Sequence, residues 1–259
     1  MFKKLFSFSL LGLIFSSCEG LKKGFHIESD LVMFYSGFPA TASIVAGADA
    51  SSFEAINDEY GKDKKHVFYR RSMIINADPD TFEVLGGAFS RDKNHGYAFK
   101  TYQEIIPVTN DPAHFEIVPN MKGVQDDYTD DAIIYARDRE HVYSGSEILT
   151  SADPATFFYV PMRAGTGFSL ARDKQFVYWR DTPIPEADGS TFKVVSYDYF
   201  KDKNAVWGTS IDNRGNSSWA KLPDTDVATF EVIGKDLRYG KDKKHYYYNG
   251  NIEKAPKIQ

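Results

Sequence analysis

Apolar and polar positions alternate along most of this 259-residue chain in short runs, interrupted every few residues by Asp, Asn, Gly or Pro. In Phe82-Glu83-Val84, and in the matching segments that carry Glu54, Glu116, Lys193 and Glu231, the period is two, which sets one face of a strand on a core and the other in water. Beyond the first seventeen residues no stretch carries the apolar period of a helix. The pattern predicts an all-β chain of short antiparallel strands. The aromatic content, 20 Phe and 16 Tyr, points the same way, because flat rings pack well on a pleated surface.

Laid against itself, the chain repeats. One motif is Asp-x-x-Ser/Thr-Phe, at Asp49–Phe53, Asp78–Phe82, Asp153–Phe157, Asp188–Phe192 and Asp226–Phe230, with Asp111–Phe115 as a looser copy. A second, Asp-Lys-x-x-x-aromatic, runs from Asp63 to Phe68, Asp92 to Tyr97, Asp173 to Tyr178, Asp202 to Trp207 and Asp242 to Tyr247, with Asp138-Arg139 to Tyr143 as its variant. The two strictly alternate. In the first motif the Asp side chain accepts from backbone N–H groups ahead of it and the Phe that follows opens a strand facing the core. The second is a tight connection between two strands, and a further hairpin follows it, seen in Tyr248-Asn249-Gly250-Asn251-Ile252 and Tyr143-Ser144-Gly145-Ser146. Each repeat is therefore a meander of four short strands. About six such meanders follow one another, with Leu31–Gly37 and the segment through Val45 as an extra hairpin at the start. An open, curved, solenoid-like array fits the shortest period of 29 residues better than a six-bladed propeller-like ring, since propeller blades take about 40–45 residues.

Gly61-Lys62-Asp63-Lys64-Lys65-His66-Val67-Phe68-Tyr69, Ser90-Arg91-Asp92-Lys93-Asn94-His95 and Tyr239–Tyr248 resemble the repeats of the DKNYY family, with Gly96 and Arg139-Glu140 as departures from its pattern. The likeness extends over residues 30–255. It implies a repeat fold and a place in the bacterial cell envelope, often as a lipoprotein, and it brings no catalytic residues with it.

The N-terminus carries an address of its own. Lys3 and Lys4 precede an apolar stretch from Leu5 to Phe15, too short to span about 30 Å of hydrocarbon as a helix. Ile14-Phe15-Ser16-Ser17-Cys18 resembles a lipobox, and Cys18 is the single cysteine, so residues 1–17 are expected to be a lipoprotein signal peptide and Cys18 the acylated, palmitate-bearing N-terminus. The expected layout is then a tether over 18–29, the β-repeat domain over 30–255 and a tail over 256–259. The resulting localisation is the cell envelope, lipid-anchored to a bacterial membrane, the outer membrane before the inner.

Composition removes several partners and cofactors. A formal net charge of −5 without a basic block argues against nucleic acid. His66, His95, His141 and His245 recur at one repeat position, as do the turn aspartates, which fits turn elements better than metal ligands or acid–base pairs. No cofactor, metal site or catalytic residue is expected. What departs from the repeat is the better place for a binding site. Two insertions qualify, Pro119–Asp131 with Asp126, Asp127, Tyr128, Asp130 and Asp131, and Gly208–Trp219 with Trp219. These six residues are the candidate contacts for an envelope protein or glycan. The reading is a non-catalytic, membrane-anchored binding or scaffold protein; the alternative is a glycan-active enzyme or carbohydrate-binding protein on a propeller-like fold.

Overall fold

The computed structural model describes residues 22–87, 89–101, 104–122, 135–160, 170–212, 214–234 and 238–255. All regular structure among them is β, in small open antiparallel sheets whose strands follow chain order. The chain divides into two compact units, residues 1–79 and 80–259.

The first unit holds two sheets. One consists of β1 (Gly24–Glu28), β2 (Leu31–Ser36) and β3 (Thr41–Ile44). It is a complete three-stranded sheet, one strand more than the expected hairpin, and β1 lies inside the stretch 18–29 expected as tether. Phe25, Val32 and Phe34 share the face that packs on Phe53 and Phe68. The other sheet is the first repeat: β4 (Glu54–Ala55), β5 (Tyr60–Lys62), β6 (Val67–Tyr69) and β7 (Ser72–Ile74), joined in that order. The second unit repeats this plan in five further four-stranded sheets, so the meander read from the sequence is the folding module.

A single layer of side chains explains the periodicity. The middle strands pair so that a buried aromatic of the Asp-Lys motif stands opposite a small residue: Phe68 opposite Gly61, Tyr97 opposite Ser90, Tyr143 opposite Ala136, Tyr178 opposite Ala171 and Tyr247 opposite Gly240. The small residue leaves room for the repeat phenylalanine. A Cβ on Gly61 would lie 2.3 Å from the tip of Phe53, and one on Gly240 would lie 2.5 Å from that of Phe230. The fifth repeat breaks the rule by setting Phe200 opposite Trp207; the rings stack at 5.0 Å and 6°, and Phe192 and Trp219 close around them. Phe115, Phe157, Phe192 and Phe230 are buried as the pattern predicts, whereas Phe53 and Phe82 stay half-buried. Gly96 also has a steric reason: a Cβ there would meet the Phe115 ring at 2.5 Å.

Candidate functional site

The two motifs of a repeat are joined by one carboxylate. The Asp of the Asp-Lys turn is buried in the first five repeats and half-buried in the sixth, a costly place for a charge unless its oxygens are fully bonded. Its Oδ1 accepts the backbone N–H groups two and three residues on, at 2.7–3.0 Å in all six copies, Asp63, Asp92, Asp138, Asp173, Asp202 and Asp242. Its Oδ2 reaches across to the other motif. There it accepts the backbone N–H of Asp49 at 3.0 Å, Asp153 at 3.0 Å, Asp188 at 2.6 Å and Asp226 at 2.6 Å. In the third repeat Thr109 interposes, donating to Asp138 at 2.6 Å and accepting from the Asp111 N–H at 3.0 Å. The aromatic five residues on adds an O–H donor wherever it is Tyr: Tyr97 and Tyr143 at 2.7 Å, Tyr178 at 2.9 Å and Tyr247 at 3.1 Å.

These donors outweigh burial. Burial pushes the Asp63, Asp138 and Asp242 carboxyls up, yet bonds to the N–H of Asp49, the Thr109 hydroxyl and the N–H of Asp226 lead the set that brings them below the ordinary aspartate range. The phenols move oppositely. Burial, together with the neighbouring carboxylate, raises Tyr143 and Tyr178, and takes Tyr247 up to about 12.

The other signature residues are occupied in the same junction. The backbone N–H of the motif lysine donates to the Thr of the first motif at 3.1 Å for Lys93–Thr81, Lys174–Thr156 and Lys203–Thr191. The ammonium pairs with the first Asp, at 2.7 Å for Lys174–Asp153 and 2.6 Å for Lys203–Asp188, and Lys243 pairs with Asp226. Arg139 keeps this contact with Asp111 at 3.8 Å, so the departure at Arg139-Glu140 leaves the turn intact. A basic residue just before each turn Asp then clips one repeat to the next: Lys62 donates to the Pro79 carbonyl at 3.0 Å, Arg91 to Pro112 at 3.4 Å, Arg137 to Pro154 at 2.9 Å, Arg172 to Gly189 at 3.4 Å and Lys201 to Val227 at 3.4 Å. Sequence reading did not foresee these clips, although the Lys or Arg preceding each turn Asp was visible.

The recurrent histidines belong to this framework. His95 and His245 pack edge-on against Tyr97 and Tyr247, Phe176 fills the same position against Tyr178, and Ala205 holds it in the fifth repeat, so the ring at this position serves as packing against the repeat aromatic. Among the described residues no cluster of His, Cys, Asp and Glu is arranged to hold a metal ion.

The expected lipidation site Cys18 and the expected contacts Asp126, Asp127, Tyr128, Asp130 and Asp131 lie outside the described residues. Trp219 is 8% exposed and packs 5.0 Å from Phe200, which takes it out of any surface platform. Its segment is not a loose insertion either. Val206–Ile211 and Ser217–Lys221 form one long hairpin, with Thr209 opposite Trp219, because the bulky Phe200–Trp207 stack needs a further ring to cover it. A comparable extension, Gly96–Thr101 against Glu104–Thr109, was missed in the second repeat, although its strands alternate clearly.

Comparison with protein families returns the DKNYY family, whose model matches residues 13–101, about a third of the chain. Neither the curated proteins nor the solved structures give a match.

Proposed function

We propose that this chain, which carries DKNYY-family sequence over residues 13–101, is a lipid-anchored β-repeat protein of the bacterial cell envelope that binds or scaffolds an envelope partner and catalyses no reaction. The observation that carries this reading is what the signature residues do. Asp, Lys, Thr and Tyr of the repeat are hydrogen-bonded or ion-paired to one another in successive repeats, and Phe packs against the Tyr ring. A catalytic centre gathers unlike groups at one place, whereas here the same junction recurs along the chain. The anchor rests on the Phe15-Ser16-Ser17-Cys18 sequence and the absence of any second cysteine. Among the described residues no helix is long and apolar enough to cross a membrane.

The partner surface is placed on the segment Pro119–Asp131, whose four aspartates and tyrosine serve no repeat position. The test is capture from crosslinked envelopes with the parent and with a variant in which residues 123–130 are shortened, leaving in place Asn120 and Met121, which pair with Tyr159. Loop length changes closure entropy only slowly, so the melting temperature stays close to that of the parent while capture falls. Undiminished capture by the folded variant would place binding on the repeats themselves, and turnover of an envelope glycan by the purified parent would overturn the non-catalytic reading.

A further inference from the structure

The hairpin between β2 and β3 ends in Gly37-Phe38-Pro39-Ala40, and the Phe38 ring is 86% exposed. Single apolar residues on a surface are ordinary. What distinguishes this one is its place. Gly24, the first residue of β1, pairs with Tyr35 of β2, and Ser36 pairs with Thr41, so the chain coming from Cys18 meets the sheet at the end where the Phe38 tip protrudes. Five residues lie between Cys18 and Gly24, so the six Cα steps reach about 20 Å even at full extension. An acyl chain on Cys18 would therefore hold this end of the first unit beside the bilayer, whose headgroup layer is roughly 5–8 Å thick.

We propose that Phe38 is a membrane-contact residue, inserting into the interface of the bilayer that the Cys18 lipid enters; the inference rests on the lipoprotein reading above. Among the described residues Lys22 pairs with Glu28 at 2.8 Å, Lys23 with Asp58 at 2.7 Å and Arg70 with Glu59, so the proposed contact is apolar and needs no anionic lipid. Aromatic rings favour this interfacial depth, and one acyl signal gains from a second point of attachment. The single ring sets the orientation of the first unit on the membrane, with the end carrying Gly24 and Phe38 inward. Ile75, 70% exposed, lies at the other end of the β4–β7 sheet, past Ile74, which pairs with Val67 just after the Asp63 turn.

The full chain carrying its lipid is reconstituted in phosphatidylcholine vesicles with or without brominated acyl chains. The Phe38→Trp variant should lose emission in the brominated vesicles beyond any loss shown by the parent, while Ile75→Trp should behave as the parent does. Detergent phase partition of the parent and of Cys18→Ser reads the anchor separately. A parent that partitions into detergent while Phe38→Trp stays unquenched overturns the contact and leaves the anchor standing. Equal quenching of both tryptophan variants overturns the orientation. A parent indifferent to the Cys18→Ser change removes the anchor and the contact together.

Discussion

Replacing Asp173 by Asn tests the junction with the smallest change of shape. The carboxylate is fully buried; its Oδ1 accepts from Gln175 and Phe176 N–H, both at 2.7 Å, and its Oδ2 from Asp153 N–H at 3.0 Å and the Tyr178 hydroxyl at 2.9 Å. Asparagine keeps the acceptor for the turn and puts an NH2 group where Oδ2 stood. Tyr178 can turn to the Ser151 carbonyl, 3.0 Å away, but the Asp153 N–H then faces another donor. Two charge-assisted bonds are weakened to neutral ones and one is lost, each worth about 1.5–3 kcal/mol with a charged partner against about 1 without, so the variant should lose about 2.5–7 kcal/mol. Lys174→Met is the control: it removes the exposed ion pair with Asp153, in which the lysine side chain is 64% exposed, and should leave the midpoint close to that of the parent. Urea unfolding followed by circular dichroism compares the midpoints. If Asp173→Asn unfolds no earlier than Lys174→Met, the carboxylate does not hold the two motifs together and the reasoning fails.

Three further outcomes are expected. Lys193 stands directly opposite Lys201 where other repeats pair an acid with a base, as Glu83 does with Arg91 and Glu116 with Arg137, so Lys193→Glu should raise stability by about 0.2–1 kcal/mol; an unchanged or lower denaturation midpoint would count against cross-strand pairing as the reason for those acids. Gly240→Ala drives a methyl into Phe230 and should cost about 1–3 kcal/mol, whereas Ala at that position in the third and fourth repeats is native; a neutral result in thermal unfolding would show that the ring simply moves aside. The lowered carboxyls of Asp63, Asp138 and Asp242 give stability that is complete above the unfolded aspartate range, near pH 4, and is lost as pH falls through their lower folded values; a melting temperature that is level from about pH 5 to 8 and falls below about 4 supports this, and one that rises on acidification contradicts it.

Much of this fold was legible because a repeat fold writes its packing many times. Phe157, read as core-facing from alternation, is buried, and the turn role of Asp63 and its copies followed from the chemistry of Asp side chains. What stayed hidden was tertiary. Nothing local tells that Oδ2 of Asp202 bonds the N–H of Asp188, fourteen residues earlier, or that Arg137 reaches the Pro154 carbonyl of the next repeat. Trp219 was misjudged for the same reason: its partner is Phe200, a bulky residue at a position where other repeats carry Gly, Ser or Ala, and only the pairing of Phe200 with Trp207 shows the gap that Trp219 covers. The start of β1 at Gly24 was missed because its strand partner, Tyr35, lies across a turn rather than in the same run.

The account turns on the claim that the turn aspartates bind one motif of each repeat to the other. Native-state amide exchange at Asp49, Asp153, Asp188 and Asp226 tests it most directly, since each of these N–H groups sits in a turn and donates to a carboxylate from the second motif. The account predicts that all four exchange slowly, with protection comparable to that of the paired strands beside them, and that Asp202→Asn releases Asp188 first. Exchange of these four amides at the free rate of exposed turns, in a protein whose strands are protected, would contradict it.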